Sequence, residues 1–163
     1  MKPQIGITPE HLMEVADLLT TILADEFLLY TKTLDAHWNV EGSDFHSKHL
    51  FFQRQYNELF EIIDKIAERT RSLGHYATAT LSDYLEFTNL TESSGNRKDS
   101  TSFVKLLLED HESIIVHLRE RISLANELKD VGTSDFITGI MKAHEKMAWM
   151  LRAHVNDKLS DSH

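Results

Sequence analysis

The chain contains no cysteine, which removes disulfides, thiolate metal sites and cysteine nucleophiles together. Any metal chemistry must use histidine, carboxylate or amide ligands. Proline occurs only at Pro3 and Pro9, and 6 glycines complete the supply of chain-breaking residues. A sandwich or barrel needs far more turn signals than that, so a mostly helical chain is expected. Basic residues are in deficit, with 17 Lys and Arg against 26 Asp and Glu and a formal charge of −9. Such a field repels phosphate backbones and draws cations, which disfavours free nucleic-acid binding. No segment nears the roughly 18 apolar residues of a membrane span, and no basic-then-apolar leader opens the chain. A soluble, cytoplasmic protein with no membrane partner is expected. What is present is an ordinary globular mixture, 41% hydrophobic and 26% charged over 163 residues, enough for a single domain with one sizeable core.

Thr8-Pro9-Glu10 supplies a cap, a proline at the first helical position and an acid in the first turn. Leu12, Val15, Leu19, Ile22, Leu23, Phe27, Tyr30 and Leu34 then keep three-and-four spacing, which predicts a helix over residues 9–38. Gly42 interrupts it, and Ser43-Asp44 can cap a second helix whose stripe runs from Phe45 through Phe52, Leu59 and Ile66 to about Gly74. Periodicity fades from His75 to Ser100 except at Leu81–Leu85, which predicts one or two helical turns inside a long connection. Ser100 or Thr101 can cap a third long helix through Leu128, and Thr133 or Ser134 a fourth through Val155. Short links and one long crossover describe a one-crossover four-helix bundle. A short N-terminal arm over 1–7 and a tail over 157–163 flank this domain.

On the second helix His49, Gln53, Phe60, Asp64 and Glu68 fall within roughly 100° of one another, beside the apolar stripe. His49 with Gln53, and Asp64 with Glu68, are i,i+4 pairs whose side chains can converge. The two pairs cannot meet within one straight helix, because 15 residues at about 1.5 Å each hold them roughly 22 Å apart. Two copies packed antiparallel about a twofold axis resolve this, setting His49 of one chain against Asp64 and Glu68 of the other. His37, at the end of the first helix, can fold back as a further imidazole. A site inside one bundle would need Glu-x-x-His, and no glutamate has histidine three residues on. The bundle interior reads as apolar at those positions. Imidazole and carboxylate together suit Fe(II), Mn(II) or Zn(II), and an oxygen-rich set with open positions favours iron redox chemistry. Solvated helix faces also carry such i,i+4 acids, and that plainer reading stays open from spacing alone.

The segment His37-Trp38-Asn39-Val40-x-Gly42-x-x-Phe45-x-x-x-His49, followed by Asp64-x-x-Ala67-Glu68-Arg69, resembles the signature of the Dps proteins, or mini-ferritins. The helix order and the Trp149–Arg152 segment extend the likeness over nearly the whole chain. The resemblance implies an all-α, ferritin-like four-helix bundle with a short extra helix in the long connection between helices 2 and 3. It also implies a dodecameric shell built from twofold dimers. Carried over by position, His37 and His49 of one subunit and Asp64 and Glu68 of its mate would bind iron. Trp38 would pack beside them, a place equally open to a plain interface aromatic. This chain departs from the family at Gln53, where an acid is common, so one of two iron positions would be weakly held.

The implied activity is a ferroxidase that oxidises Fe(II), preferably with hydrogen peroxide, and stores the ferric mineral within the shell. Glu127, Asp130 and Asp135 surround the turn where the family builds acidic pores, and they are candidate pore residues. The family's DNA binding commonly uses a Lys-rich tail; here the arm has only Lys2 and residues 157–163 are mixed to acidic, so DNA binding is expected to be weak or absent. The alternative is a DNA-compacting shell with weak or lost ferroxidase activity. His11, His46, His75, His111, His117, His144 and His154 are expected at surfaces or interfaces, with His46 an auxiliary ligand candidate.

Overall fold

The structure, a computed structural model, describes residues 2–92 and 95–156; the tail over 157–163 lies outside the described residues. The described residues form α1 (Pro9–Asn39), α2 (Phe45–Ser72), α3 (Leu81–Phe87), α4 (Ser100–Glu127) and α5 (Val131–Asn156). Thr8 caps α1 by accepting from the His11 N–H at 3.3 Å, and Pro9 occupies the first helical turn. Gly42 and Gly74 sit at φ of +124° and +87°, a region costly for residues with a Cβ, and they stop the chain running on between helices. At Gly74 a Cβ would also come within 2.6 Å of Pro3 Cδ, so the arm packs where only glycine fits.

The long helices make an all-α four-helix bundle. His37 meets His49 and Tyr30 meets both Tyr56 and Phe60, which sets α1 antiparallel to α2. Lys32 on Asp110 and Arg121 on Thr21 set α1 antiparallel to α4. The core is one cluster that includes Leu19, Ile22, Leu29, Phe52, Leu59, Ile66, Phe103, Leu107, Ile114, Leu118 and Leu151. Burying each such side chain contributes about 1.5–3 kcal/mol against exposure. The extra helix α3 lies in the long connection and packs on α1, with Tyr84 stacked on Phe27 at 4.3 Å between ring centroids. That connection is tied to α1 by Asp25, which accepts from Thr88 Oγ1 at 2.8 Å and the Asn89 N–H at 2.6 Å.

Three expectations are corrected. Asp99, not Ser100 or Thr101, caps α4, accepting from the Ser102 N–H at 2.9 Å. The fourth long helix, α5, begins at Val131, before Thr133 and Ser134, because Asp130 accepts from the Thr133 N–H at 2.8 Å and from its hydroxyl at 2.6 Å. The interior is not apolar throughout: Glu26, His111 and His144 are each 0% exposed, so two histidines expected at surfaces lie in the core.

Asp130 also takes the Arg69 guanidinium at 3.1 Å and so joins α2 to the start of α5. Asp130→Ala removes the cap and leaves Arg69 without its carboxylate, and is expected to cost about 2 kcal/mol in urea unfolding. Asp130→Asn keeps an acceptor for the Thr133 N–H and should cost roughly half as much.

Candidate metal centre

The end of α1 and the start of α2 meet through two imidazoles. His37 Nδ1 donates to the His49 carbonyl at 2.8 Å, and His49 Nδ1 donates to the His37 carbonyl at 2.8 Å. The rings stack with centroids 3.8 Å apart. A carbonyl can only accept, so each Nδ1 must carry its hydrogen. The neutral form of each ring therefore keeps its lone pair on Nε2, the state in which histidine ligates a metal. Tyr56 edges against His37 at 5.1 Å, and Phe45 lies 5.2 Å from the His49 ring. His37 is buried at 7% exposure, and His49 is half-buried.

The first turn of α2 is anchored from outside. Asp44 stands at the N-cap position, yet its carboxylate accepts from Ser100 Oγ at 2.6 Å instead of from the α2 backbone. That hydrogen bond, aided by Lys48, holds the Asp44 carboxyl below the usual carboxylate range. The start of α4 thus fixes the segment that carries His49.

Asp64 and Glu68 are exposed on α2, four turns beyond His49, and Gln53 is half-exposed. Within the single chain the histidines come together and the acids do not join them. Among the described residues no group of three or more His, Asp or Glu side chains converges on a point that could hold a metal ion. Large aromatic side chains are uncovered near this helix pair, Trp38 at 67% exposure and Phe60 at 58%.

The acids proposed for a pore separate into two kinds. Asp130 is 2% exposed and its carboxylate is engaged by Thr133 and Arg69, so it serves the fold and does not face solvent. Glu127 and Asp135 are exposed on either side of the α4–α5 turn. His46 is exposed at the start of α2. Sequence reading missed the carbonyl bonds that orient His37 and His49; their spacing of 12 residues across a glycine turn was the available signal.

Residues 16–159 match the Ferritin family model, described as a ferritin-like domain. The chain is 41% identical over 152 residues to an uncharacterised low temperature-induced protein of Nostoc sp., covering 93% of this chain and 85% of that one. It is 35% identical to DNA protection during starvation protein 2 of Bacillus anthracis, over 88% of this chain and 97% of that one. Its fold is similar to that of the Dps protein from Vibrio cholerae, described as a member of a broad superfamily of ferritin-like diiron-carboxylate proteins. That likeness has a TM-score of 0.88 and 28% identity over 95% of this chain and 98% of the other.

Proposed function

The chain belongs to the Dps family of ferritin-like proteins, and from that premise we propose that it stores iron and protects against oxidants by oxidising Fe(II) at sites shared between two subunits. The observation that carries this reading is the paired imidazole lock, which leaves two Nε2 lone pairs ready for a metal at the end of α1 and the start of α2. Asp64 and Glu68 of a neighbouring subunit complete the ligand set, with Trp38 and Phe60 covered in the same contact. A dodecameric shell built from such twofold pairs is the assembly that follows.

Imidazole with carboxylate accepts Fe(II) and stabilises the extra charge of Fe(III). Two Fe(II) give one electron each to one hydrogen peroxide. The O–O bond breaks, two protons are taken up, and two waters leave. Moving both electrons together avoids releasing a hydroxyl radical. The protein's own part is to hold the ions, keep each imidazole in its ligating tautomer and supply negative charge.

Gln53 offers a neutral amide oxygen, so the ion on the Asp64, Glu68 and His37 side is held firmly and the one near His49 weakly. Glu127 and Asp135 lie where exposed acids can draw Fe(II) toward a symmetry axis. A charge of −9 per chain keeps DNA affinity low, and a gel-shift assay near neutral pH is expected to show little or no retardation.

His49→Ala, and separately Asp64→Asn with Glu68→Gln, are expected to slow peroxide-dependent Fe(II) oxidation by about tenfold or more without changing particle size in sedimentation. Rates equal to the parent protein's overturn the assignment. Fe(II) titration should resolve unequal affinities at each site, and Gln53→Asp should bring the weaker one closer to the stronger. Glu127→Gln with Asp135→Asn should slow iron uptake while leaving the first oxidised ions unaffected; unchanged uptake removes these acids from the ion path.

A further inference from the structure

The core carries a polar chain that the iron chemistry does not use. Glu26 of α1, His144 of α5 and His111 of α4 are each 0% exposed. His144 Nε2 lies 2.6 Å from Glu26 Oε1, and His144 Nδ1 lies 2.8 Å from His111 Nδ1. Glu26 Oε2 and His111 Nε2 are buried without a hydrogen-bond partner. His144 stands between its neighbours, using opposite edges of its ring. The three groups therefore form a line and do not surround a point, which is the geometry of a proton chain and not of a metal site.

Hydrogens can be counted along this line. Each of the two contacts needs one hydrogen between its heavy atoms. With those alone, Glu26 is a carboxylate, both imidazoles are neutral, and the apolar core holds one net negative charge. A third hydrogen, on His111 Nε2, lets His144 carry hydrogens on both nitrogens. The line is then neutral as a whole, with the imidazolium opposite Glu26. An uncompensated charge in a core is far costlier than a compensated one.

We propose that Glu26, His144 and His111 form a buried proton-holding chain, through which each folded subunit keeps one proton that the unfolded polypeptide gives up above about pH 6.5. Burial, and next the neighbouring His144, hold His111 well below the usual histidine range, so His111 itself stays neutral in either hydrogen count. Most of the other polar and charged groups near the core have partners of their own. On α1, Asp25 is bonded to Thr88 and Asn89, and Lys32 pairs with Asp110 of α4 at 2.6 Å. Also on α4, Arg121 donates to Thr21 and to the His117 carbonyl, and His117 itself is half-buried with its ring Nδ1 left without a hydrogen-bond partner. The buried side chains of α2 include no ionisable group, Gln55 and Thr70 being the polar ones, and α3 has no buried residue.

The direction follows from linkage. A folded state that binds one extra proton gains stability as pH falls toward the unfolded histidine value and loses it as pH rises. The bundle is thus strengthened in mild acid. The test is denaturant unfolding of the full-length assembled protein from about pH 6.5 to 9 at fixed concentration, parent against Glu26→Gln. The amide oxygen that Glu26→Gln introduces accepts from a neutral His144, so this variant needs no third proton. The ratio of the parent's unfolding constant to the variant's is expected to rise about tenfold per pH unit. Parallel curves overturn the proposal. Should Glu26→Gln fail to fold, the apolar triple Glu26→Met, His111→Leu and His144→Leu takes its place, with the same pH-dependent ratio expected and the same parallel outcome contradicting it.

Discussion

The unbroken run of α2 from Phe45 to Ser72 sets which of its side chains can meet. A helix gains about 1.5 Å per residue, so the turn that carries His49 and the turn that carries Asp64 and Glu68 are held apart by roughly 22 Å. No rearrangement of side chains closes that distance. What the fold does achieve is to bring two imidazoles together: α1 carries His37 in its last turn, Gly42 turns the chain, and α2 brings His49 back so that each ring is steadied by the other's backbone carbonyl. On the proposed reading, the two oriented imidazoles, beside uncovered Trp38 and Phe60, are the part of the site that one chain supplies, and a second copy of the same chain supplies the rest.

The same economy governs the interior. Asp25 ties α1 to the long connection, and the other buried charges named above are matched to partners on other elements, so these groups fix which helices meet and in what register. Lys32 on Asp110 joins α1 to α4, Arg69 on Asp130 joins α2 to the start of α5, and Glu26 with His144 and His111 joins three helices at once. Apolar packing alone would stabilise several alignments of long helices nearly equally. Polar pairs penalise the wrong ones, because a slipped helix would strand a charge out of water. The buried Glu26 line differs from the others in leaving two polar atoms without partners, which is why its proton content becomes the variable.

Much of this was legible in the sequence. Thr8-Pro9-Glu10, Gly42 and Gly74 mark element ends through local chemistry, and the apolar stripes give the long helices. Caps were harder to read at Asp99-Ser100-Thr101 and at Asp130 to Ser134, where adjacent residues can all accept a backbone hydrogen bond and only the fold chooses among them. The buried histidines were hidden for a different reason. His144 keeps helical spacing with Met141 and Met147, and His111 with Leu107 and Ile114, so both sit on the core stripes, but Glu26, the carboxylate that makes their burial tolerable, is 118 residues from His144. Of the candidate site, the residue types and their common face could be read locally, whereas the ring orientation set by carbonyls could not.

Mixing two inactive proteins tests the shared site most directly. One carries His37→Ala and His49→Ala with its acids intact; the other carries Asp64→Asn and Glu68→Gln with its histidines intact. Dissociated together and allowed to reassemble at random, they should rebuild about a quarter of the sites, because half of the twofold pairs are mixed and each mixed pair holds one complete ligand set. Recovery of peroxide-dependent Fe(II) oxidation to about that fraction of the parent rate is the predicted result. Reassembled particles that are mixed in composition yet as inactive as either parent variant would contradict it.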